Sequence, residues 1–329
     1  MKVFINGFGR IGRTILRQIL HAPGTSDVEV VGINDIAPLE SCAYLFQYDS
    51  VFGPYPGPVE GRNGTLIVDA ARLPFSHAPD ISGLDLAGVD VVLECTGKAT
   101  SREVAERGLS AGAASVLISG PSDAADTTVV LGANENALGA ARIVSNASCT
   151  TNAIAPLLKA LDMGLGIERG HITTIHCYTG SQPTVDMPGP SFERSRAAAV
   201  SMVPTSTSAA AQVTRVLPDM QDRVSVTAVR VPCISVSAVD ATFQLAELPG
   251  EPVEDFLRDA FDGTGIVSTT KDACVSTDMR GRPESLVLAL RETRLIQPTQ
   301  LRVFGWYDNE WGFSTRMIEM ARRMAARST

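Results

Sequence analysis

Apolar residues recur along this chain in two rhythms, one of strands and one of helix faces. Val3-Phe4-Ile5 is a short unbroken apolar run, and beyond Gly12 the positions Ile15, Leu16, Ile19 and Leu20 return at the spacing of one helix face. The pattern predicts a strand, a glycine-rich turn and a helix in succession. Val28 to Asn34 reads as the next strand. Val89 to Glu94 reads as a buried strand, Ser101 to Leu109 as a helix, and Val116 to Ser119 and Ile143-Val144 as further strands. Such alternation predicts a parallel α/β first lobe.

The rhythm then changes. Ile154, Leu157, Leu158 and Leu161 mark a buried helix face, which makes Ser148 the N-cap and Cys149 the first helical residue. Pro156 inside it predicts a bend after the second turn. His171 to Thr179 is a β-branched strand, and Val224 to Val231, Ile234 to Leu245 and Leu301 to Tyr307 are strand-like with few helices between, which predicts a mixed or antiparallel sheet. Residues 180 to 197 hold Pro183, Pro188, Gly189 and Pro190 without periodicity, the mark of an ordered functional loop or a flexible one. The last helix, Ser314 to Ala326, gathers Met317, Ile318, Met320, Ala321 and Met324 on one face and is expected to dock on the first lobe, its methionines as core. The expected fold class is therefore α/β: a Rossmann-type first domain with a parallel sheet (residues 1–148 and 313–329) and an α+β second domain built on a mixed or antiparallel sheet (149–312).

Composition narrows the functional classes. At 329 residues the chain exceeds the usual size of one domain, and with 44% hydrophobic but only 5% aromatic residues it suits helices packed tightly on sheets. A formal charge of −8 argues against a nucleic-acid partner, which needs a basic stripe. No apolar run approaches a membrane span, and Met1-Lys2 leads straight into a strand without a signal-peptide core, so no membrane partner and a cytoplasmic location are expected. The cysteines at 42, 95, 149, 177, 233 and 274 show no metal-ligand spacing, so no metal is expected and the thiols should be reduced.

Two patterns carry chemistry. Gly7-Phe8-Gly9-Arg10-Ile11-Gly12 lies between a strand and a helix, where Gly7 permits a tight turn, Gly9 lets backbone approach a pyrophosphate and Gly12 lets helix pack on strand. Asp35 ends the second strand, placed to accept bonds from both hydroxyls of an adenosine ribose, and it would repel a 2′-phosphate. NAD is the expected cofactor. Thr96-Gly97 and Ser119-Gly120 stand at strand C-terminal ends, where an open parallel sheet binds its ligand, and each equally suits a plain strand-to-helix turn. The second pattern is Cys149 at a helix N-terminus with His176 on a following strand. A thiol of ordinary pKa about 8.5 is mostly protonated at neutral pH, and backbone amides with an imidazole favour its thiolate.

With the glycine fingerprint, Ser145-Asn146-Ala147-Ser148-Cys149-Thr150-Thr151-Asn152 and Trp306-Tyr307-Asp308-Asn309-Glu310, the chain closely resembles the phosphorylating glyceraldehyde-3-phosphate dehydrogenase family over nearly its whole length. The resemblance implies that Cys149 attacks an aldehyde as thiolate while His176 accepts and returns protons. It implies that Arg10, Ile11, Asp35, Ser119 and Asn309 hold NAD. Thr179 and Arg230 match residues that bind the substrate's phosphate, Ser148, Thr150 and Thr207 match the site of attacking inorganic phosphate, and Arg194 matches an arginine of the loop lining these anion sites. The implied partners are a small phosphorylated aldehyde, inorganic phosphate and further copies of the chain in a homotetramer, with the 180–197 loop at a subunit interface.

Departures from the family pattern keep rivals in view. Ser208 stands where glycolytic relatives usually carry glycine beside the phosphate-binding Thr207, Ser181 where many carry aspartate, and Ala153 where a second cysteine is frequent. The stretch from Glu284 to Ile296 also differs. One rival is erythrose-4-phosphate dehydrogenase, which releases its thioester to water; Ile143-Val144-Ser145 and Ile172-Thr173-Thr174-Ile175-His176 share its wording, whereas Thr179 and Pro204-Thr205-Ser206-Thr207 match the phosphorylating enzyme. A catalytically idle NAD-binding relative is the other, against which Cys149, His176 and Arg230 all weigh.

Overall fold

The computed structural model describes residues 1–327 apart from Pro249 and Gln297. Its strands are β1 (Lys2–Asn6), β2 (Glu29–Asn34), β3 (Val59–Arg62), β4 (Thr65–Val68), β5 (Ala71–Ser76), β6 (Val91–Glu94), β7 (Ser115–Ile118), β8 (Thr127–Thr128), β9 (Ile143–Ser145), β10 (Ile167–Cys177), β11 (Val203–Thr205), β12 (Val224–Val231), β13 (Ser237–Leu245), β14 (Val267–Thr270), β15 (Leu286–Ala289), β16 (Arg294–Ile296) and β17 (Gln300–Tyr307). The helices are α1 (Arg10–His21), α2 (Leu39–Gln47), α3 (Arg102–Ser110), α4 (Cys149–Leu165), α5 (Ala209–Val216), α6 (Val253–Phe261) and α7 (Trp311–Ala325). The chain divides into two compact units, one of Met1–Val129, Asn136–Ala147 and Ser314–Thr329, the other of Val130–Glu135 and Ser148–Phe313.

The first unit holds a nine-stranded sheet in the order β3-β4-β5-β2-β1-β6-β7-β9-β8. From β5 to β8 neighbouring strands run parallel, as the strand and helix alternation requires. At the other end β3, β4 and β5 form an antiparallel meander that the sequence reading passed over. A signal for it was present: Arg62 pairs with Thr65 across Asn63-Gly64, whose φ angles of 51° and 66° suit the type I′ hairpin that Asn-Gly prefers. The methionine face of α7 is buried as core, and this helix is tied within the unit by Arg322 to Asp27 at 2.7 Å and by the Thr315 hydroxyl to Gln18 at 3.3 Å.

The second unit carries an eight-stranded mixed sheet ordered β11-β12-β10-β13-β17-β15-β14, with β16 pairing β17. The long helix α4 lays Ile154, Leu157, Leu158, Leu161 and Leu165 against Ile172, Val239, Ala241, Phe243 and Val303 of β10, β13 and β17. Burying these side chains contributes about 1.5–3 kcal/mol apiece, which anchors α4 with its N-terminus at the strand ends. The helix runs unbroken through Pro156. Among the elements the sequence reading missed here are α5 and α6. The 180–197 loop is ordered by its own bonds: Asp186 accepts from Arg196 and from the Ala197 amide, both at 2.9 Å, and the Met187 amide donates to the Ser195 carbonyl.

Two glycines of the fingerprint are imposed by packing. Gly7 adopts φ +95°, and a Cβ on Gly12 would lie 2.1 Å from the Gly7 carbonyl oxygen. By contrast, a Cβ on Gly9 meets nothing within 4 Å. Gly12→Ala is expected to lower stability by about 1–3 kcal/mol, while Gly9→Ala stays within about 1 kcal/mol, as read from urea unfolding midpoints; equal losses at both positions would contradict the packing argument.

Candidate active site

The first unit presents a cradle at the carboxyl ends of its parallel strands. Gly9 is the N-cap of α1 and has no side chain with which to cap it, so the amide polarity at this N-terminus suits an anion. Asp35, just past β2, is held by two backbone amides: Oδ2 accepts from Phe8 at 2.6 Å and Oδ1 from Ala37 at 2.9 Å. Each oxygen keeps lone-pair capacity for a ligand hydroxyl. Gly7, Gly9, Asp35 and Thr96 line one cavity of about 200 Å³. An uncapped helix end beside a fixed carboxylate fits a dinucleotide, the amides suiting pyrophosphate and the carboxylate a ribose diol.

Other cradle residues fall differently. The Arg10 guanidinium is bonded to the buried Asp49 carboxylate, so its side chain is committed to the protein and its contribution to a ligand is through backbone. Ile11 is half-buried in the first turn of α1, and Gly12 is buried against the turn. Gly97 takes φ 69° after β6, and the Ser119 amide bonds the Glu94 carbonyl at 2.9 Å; neither lines the cavity. Arg107 does line it, held 3.2 Å from Asp80, although the sequence places no arginine next to Asp35. Sequence reasoning also missed what holds these loops: buried Glu94 accepts from Asn6 and from the Thr96 amide, and Asn34 donates to Asn6 at 2.9 Å.

The second unit brings the nucleophile and base together. Ser148 caps α4, its hydroxyl accepting from the Thr151 amide at 3.0 Å, which leaves Cys149 as the first helical residue. Ala147 before it takes φ 54°, a left-handed conformation that costs a non-glycine residue of order 1–3 kcal/mol and turns the chain into the cap. Cys149 Sγ lies 3.6 Å from His176 Nε2. His176, the penultimate residue of β10, pairs in parallel register with Arg230 of β12, so Arg230 Nη1 reaches His176 Nδ1 at 2.8 Å and the Cys177 carbonyl at 2.9 Å. Among the described residues Arg230 has no carboxylate partner.

A buried phenol fixes this arrangement. The Tyr307 hydroxyl sits 2.9 Å from the Thr150 hydroxyl on α4 and 2.7 Å from that of Thr174 on β10. Thr150 thereby turns its side chain inward, so its hydroxyl faces Tyr307 and the sulfur. Cys177 donates through Sγ to Asn309 Oδ1 at 3.2 Å.

The side chains expected to meet anions belong to the same unit. Arg194 donates through Nε to the Thr205 hydroxyl at 2.7 Å and through Nη2 to the Ser206 carbonyl, again without a carboxylate partner among the described residues. The Thr207 hydroxyl accepts from the Ala209 amide at 3.1 Å at the start of α5 and keeps its hydrogen to donate. Ser208 is exposed and its side chain does not cap α5. Thr179 and Ser181 pair their hydroxyls at 3.0 Å.

Electrostatics here differ from the sequence expectation in one respect. Burial first, and the Arg230 charge second, pull His176 down to about 4, so its imidazole is neutral at pH 7. Burial pushes the Cys149 thiol up, while Arg230, the Thr150 hydroxyl and the first amides of α4 pull it back. The cation that favours the thiolate is therefore Arg230, and His176 acts as a neutral neighbour. The Cys42, Cys95 and Cys177 thiols are pushed by burial to about 11, 12 and 12, which keeps them protonated.

Stability should follow the imidazole. Its pKa falls from 6.5 in the unfolded chain to about 4 in the folded one, so the unfolded chain alone binds this proton in between. The contribution, up to about 3 kcal/mol, is present above pH 6.5 and lost as pH falls toward 4. Urea unfolding from pH 7 to 4.5 is expected to lose stability more steeply in the parent than in His176→Asn; parallel slopes would count against a neutral buried ring.

Comparison with known proteins adds to this geometry. Residues 1–102 match the family model described as glyceraldehyde 3-phosphate dehydrogenase, NAD binding domain, and residues 148–309 match that of the glyceraldehyde 3-phosphate dehydrogenase C-terminal domain. The chain is 46% identical to the glyceraldehyde-3-phosphate dehydrogenase of Xanthobacter flavus, with 98% of each chain covered. It is 43% identical to that of Pseudomonas aeruginosa, covering 99% of this chain and 98% of that one, and 40% identical to glyceraldehyde-3-phosphate dehydrogenase 1 of Bacillus subtilis with the same coverage.

Proposed function

Because the chain belongs to the glyceraldehyde-3-phosphate dehydrogenase family, we propose that Cys149 and His176 carry that chemistry here: NAD-dependent oxidation of glyceraldehyde 3-phosphate, with inorganic phosphate captured in the product. The protein is a phosphorylating aldehyde dehydrogenase. The observation that carries the residue assignment is the 3.6 Å approach of Cys149 Sγ to His176 Nε2, beside an arginine that meets no carboxylate among the described residues.

Each residue has a distinct task. Cys149 sulfur adds to the aldehyde carbon to give a tetrahedral thiohemiacetal, and His176 takes the proton from its hydroxyl. NAD, when bound, accepts the hydride. The thioester left on Cys149 conserves the oxidation energy until inorganic phosphate opens it to an acyl phosphate and restores the sulfur. Arg230 and Thr179 hold the substrate's phosphate, while Ser148, Thr207 and Arg194, with the Thr150 amide, hold the attacking one; Ser208 supplies one more hydroxyl beside it. Gly7, Gly9, Arg10, Ile11 and Gly12 supply the pyrophosphate turn, Asp35 the ribose contacts, and Thr96, Gly97, Ser119 and Asn309 flank the remainder of the cofactor.

Assembly as a homotetramer is supported by apolar side chains that the unit leaves exposed along and beyond its ordered loop, Met187, Phe192, Val200 and Met202 among them, with Phe192 96% exposed. A cytoplasmic setting agrees with six free cysteines. No helix among the described residues is long and apolar enough to cross a membrane.

Two outcomes are expected. NADH formation from glyceraldehyde 3-phosphate should depend on added phosphate or arsenate, and equal initial rates without either would favour the hydrolytic rival. Sedimentation equilibrium should return four times the mass of the 34.8 kDa chain; a concentration-independent monomer would remove the interface role of the loop.

A further inference from the structure

A cavity of about 370 Å³ opens within the second unit, and none of its lining residues has a part in the chemistry above. Pro156, Ala160 and Met163 of α4, Phe256 and Ala260 of α6, and Ile266 beyond α6 form most of its wall. Two glycines shape it. Gly164 lets the Phe256 ring lie where a Cβ would come within 2.6 Å of it, and Gly132, at φ +84°, lets Pro156 and Ile266 close in, each with a carbon 3.2 Å from where its Cβ would stand. The small side chains Ala160 and Ala260 leave the space between the larger ones unfilled. Apolar surface at the mouth stays in water, with Met163 79% exposed.

The lining is apolar with one charge. Lys159 of α4 is half-buried at this wall and meets no carboxylate among the described residues. The carboxylates closest along the chain are committed elsewhere: Asp162 to Arg223 and to the Ile167 amide at 2.9 Å, and Glu135 to the Gly132 amide. Asp259 and Asp262 are exposed and do not line the cavity. The Thr264 hydroxyl, the other polar side chain of the lining, donates back to the Phe261 carbonyl at 2.9 Å. Space of this size suits a small molecule, since a cavity of about 150 Å³ already admits benzene and ligand pockets with mostly apolar walls begin near about 300 Å³.

We propose that this cavity binds a small amphipathic carboxylate, its hydrocarbon body among Pro156, Met163, Phe256 and Ile266 and its carboxylate on Lys159 Nζ. The apolar wall supplies affinity by taking the hydrocarbon out of water, and the unpaired ammonium selects an anion over a neutral chain of the same length. A lysine whose stem merely covers apolar surface while its head stays in water would make no such selection.

The experiment is calorimetric titration of the full-length protein, saturated with NAD so that the dinucleotide cavity is filled, with sodium octanoate and separately with octan-1-ol. Carbon-13 NMR of methionine methyl groups locates the ligand, and Met163→Leu assigns the signal. Octanoate is expected to bind at one site per chain without displacing NAD and to shift the Met163 methyl, with octan-1-ol about tenfold weaker. Lys159→Gln should bring octanoate down to the level of the alcohol, and Ala260→Trp, whose indole fills the mouth, should lose both ligands. Unchanged NADH formation shows that each variant is folded. Equal affinities for the two ligands in the parent protein, or octanoate binding unaltered in Lys159→Gln, would overturn the selection by Lys159. A Met163 methyl that does not move, or release of NAD by octanoate, would remove the site itself. A changed sedimentation mass for Ala260→Trp would assign this face to a second copy of the chain and defeat the small-molecule reading. The parent protein and the Met163 signal decide the question even if Ala260→Trp does not fold.

Discussion

The phenol oxygen of Tyr307 is where the second unit's catalytic geometry is settled. Fully buried, it joins the first turn of α4 through Thr150 to the middle of β10 through Thr174, and these are the elements that carry Cys149 and His176. A buried hydroxyl without partners costs about 1–3 kcal/mol, so the three hydroxyls hold one another in place and set the spacing of sulfur and imidazole. Hydrophobic packing of α4 on the sheet brings the helix end to the strand ends, and the hydroxyl trio then fixes the last ångström.

Around this frame a net-acidic chain keeps selected cations unpaired. Arg10, Arg102, Arg223, Arg302 and Arg322 all meet carboxylates, whereas among the described residues Arg194 and Arg230 are held by hydroxyls, carbonyls and an imidazole. A guanidinium partnered that way retains most of its attraction for a dianion. Burial is the larger cause of the neutral imidazole, and the Arg230 charge adds to it by disfavouring a second positive charge beside the ring. The charge that Arg230 offers an anion and the neutrality of His176 thus belong to one local charge balance.

Much of this was legible in the chain. The strand, glycine turn and helix at the amino terminus, the capped helix at Cys149, the long strands β10, β12, β13 and β17 and the buried face of α7 all follow from sustained periodicity. What escaped was short or distant. The β3 to β5 meander was marked by Asn63-Gly64, but its strands are four to six residues long and half polar. Tyr307 lies 157 residues from Thr150, so no local pattern could join them. The contact of Arg230 with His176 arises through strand register, and the neutral state of His176 through burial and that nearby charge; a sequence supplies neither directly.

That register has a consequence for how such a site can change. His176 and Arg230 are direct partners on parallel strands, and side chains alternate faces with a period of two, so sliding either strand by one residue would send its functional group through the sheet to the far side. No series of intermediate alignments exists between a working pair and a broken one. Descent with insertions or deletions must therefore spare β10 and β12 as whole units, and diversification toward other aldehydes is channelled into the connecting segments, where length can vary without inverting anything.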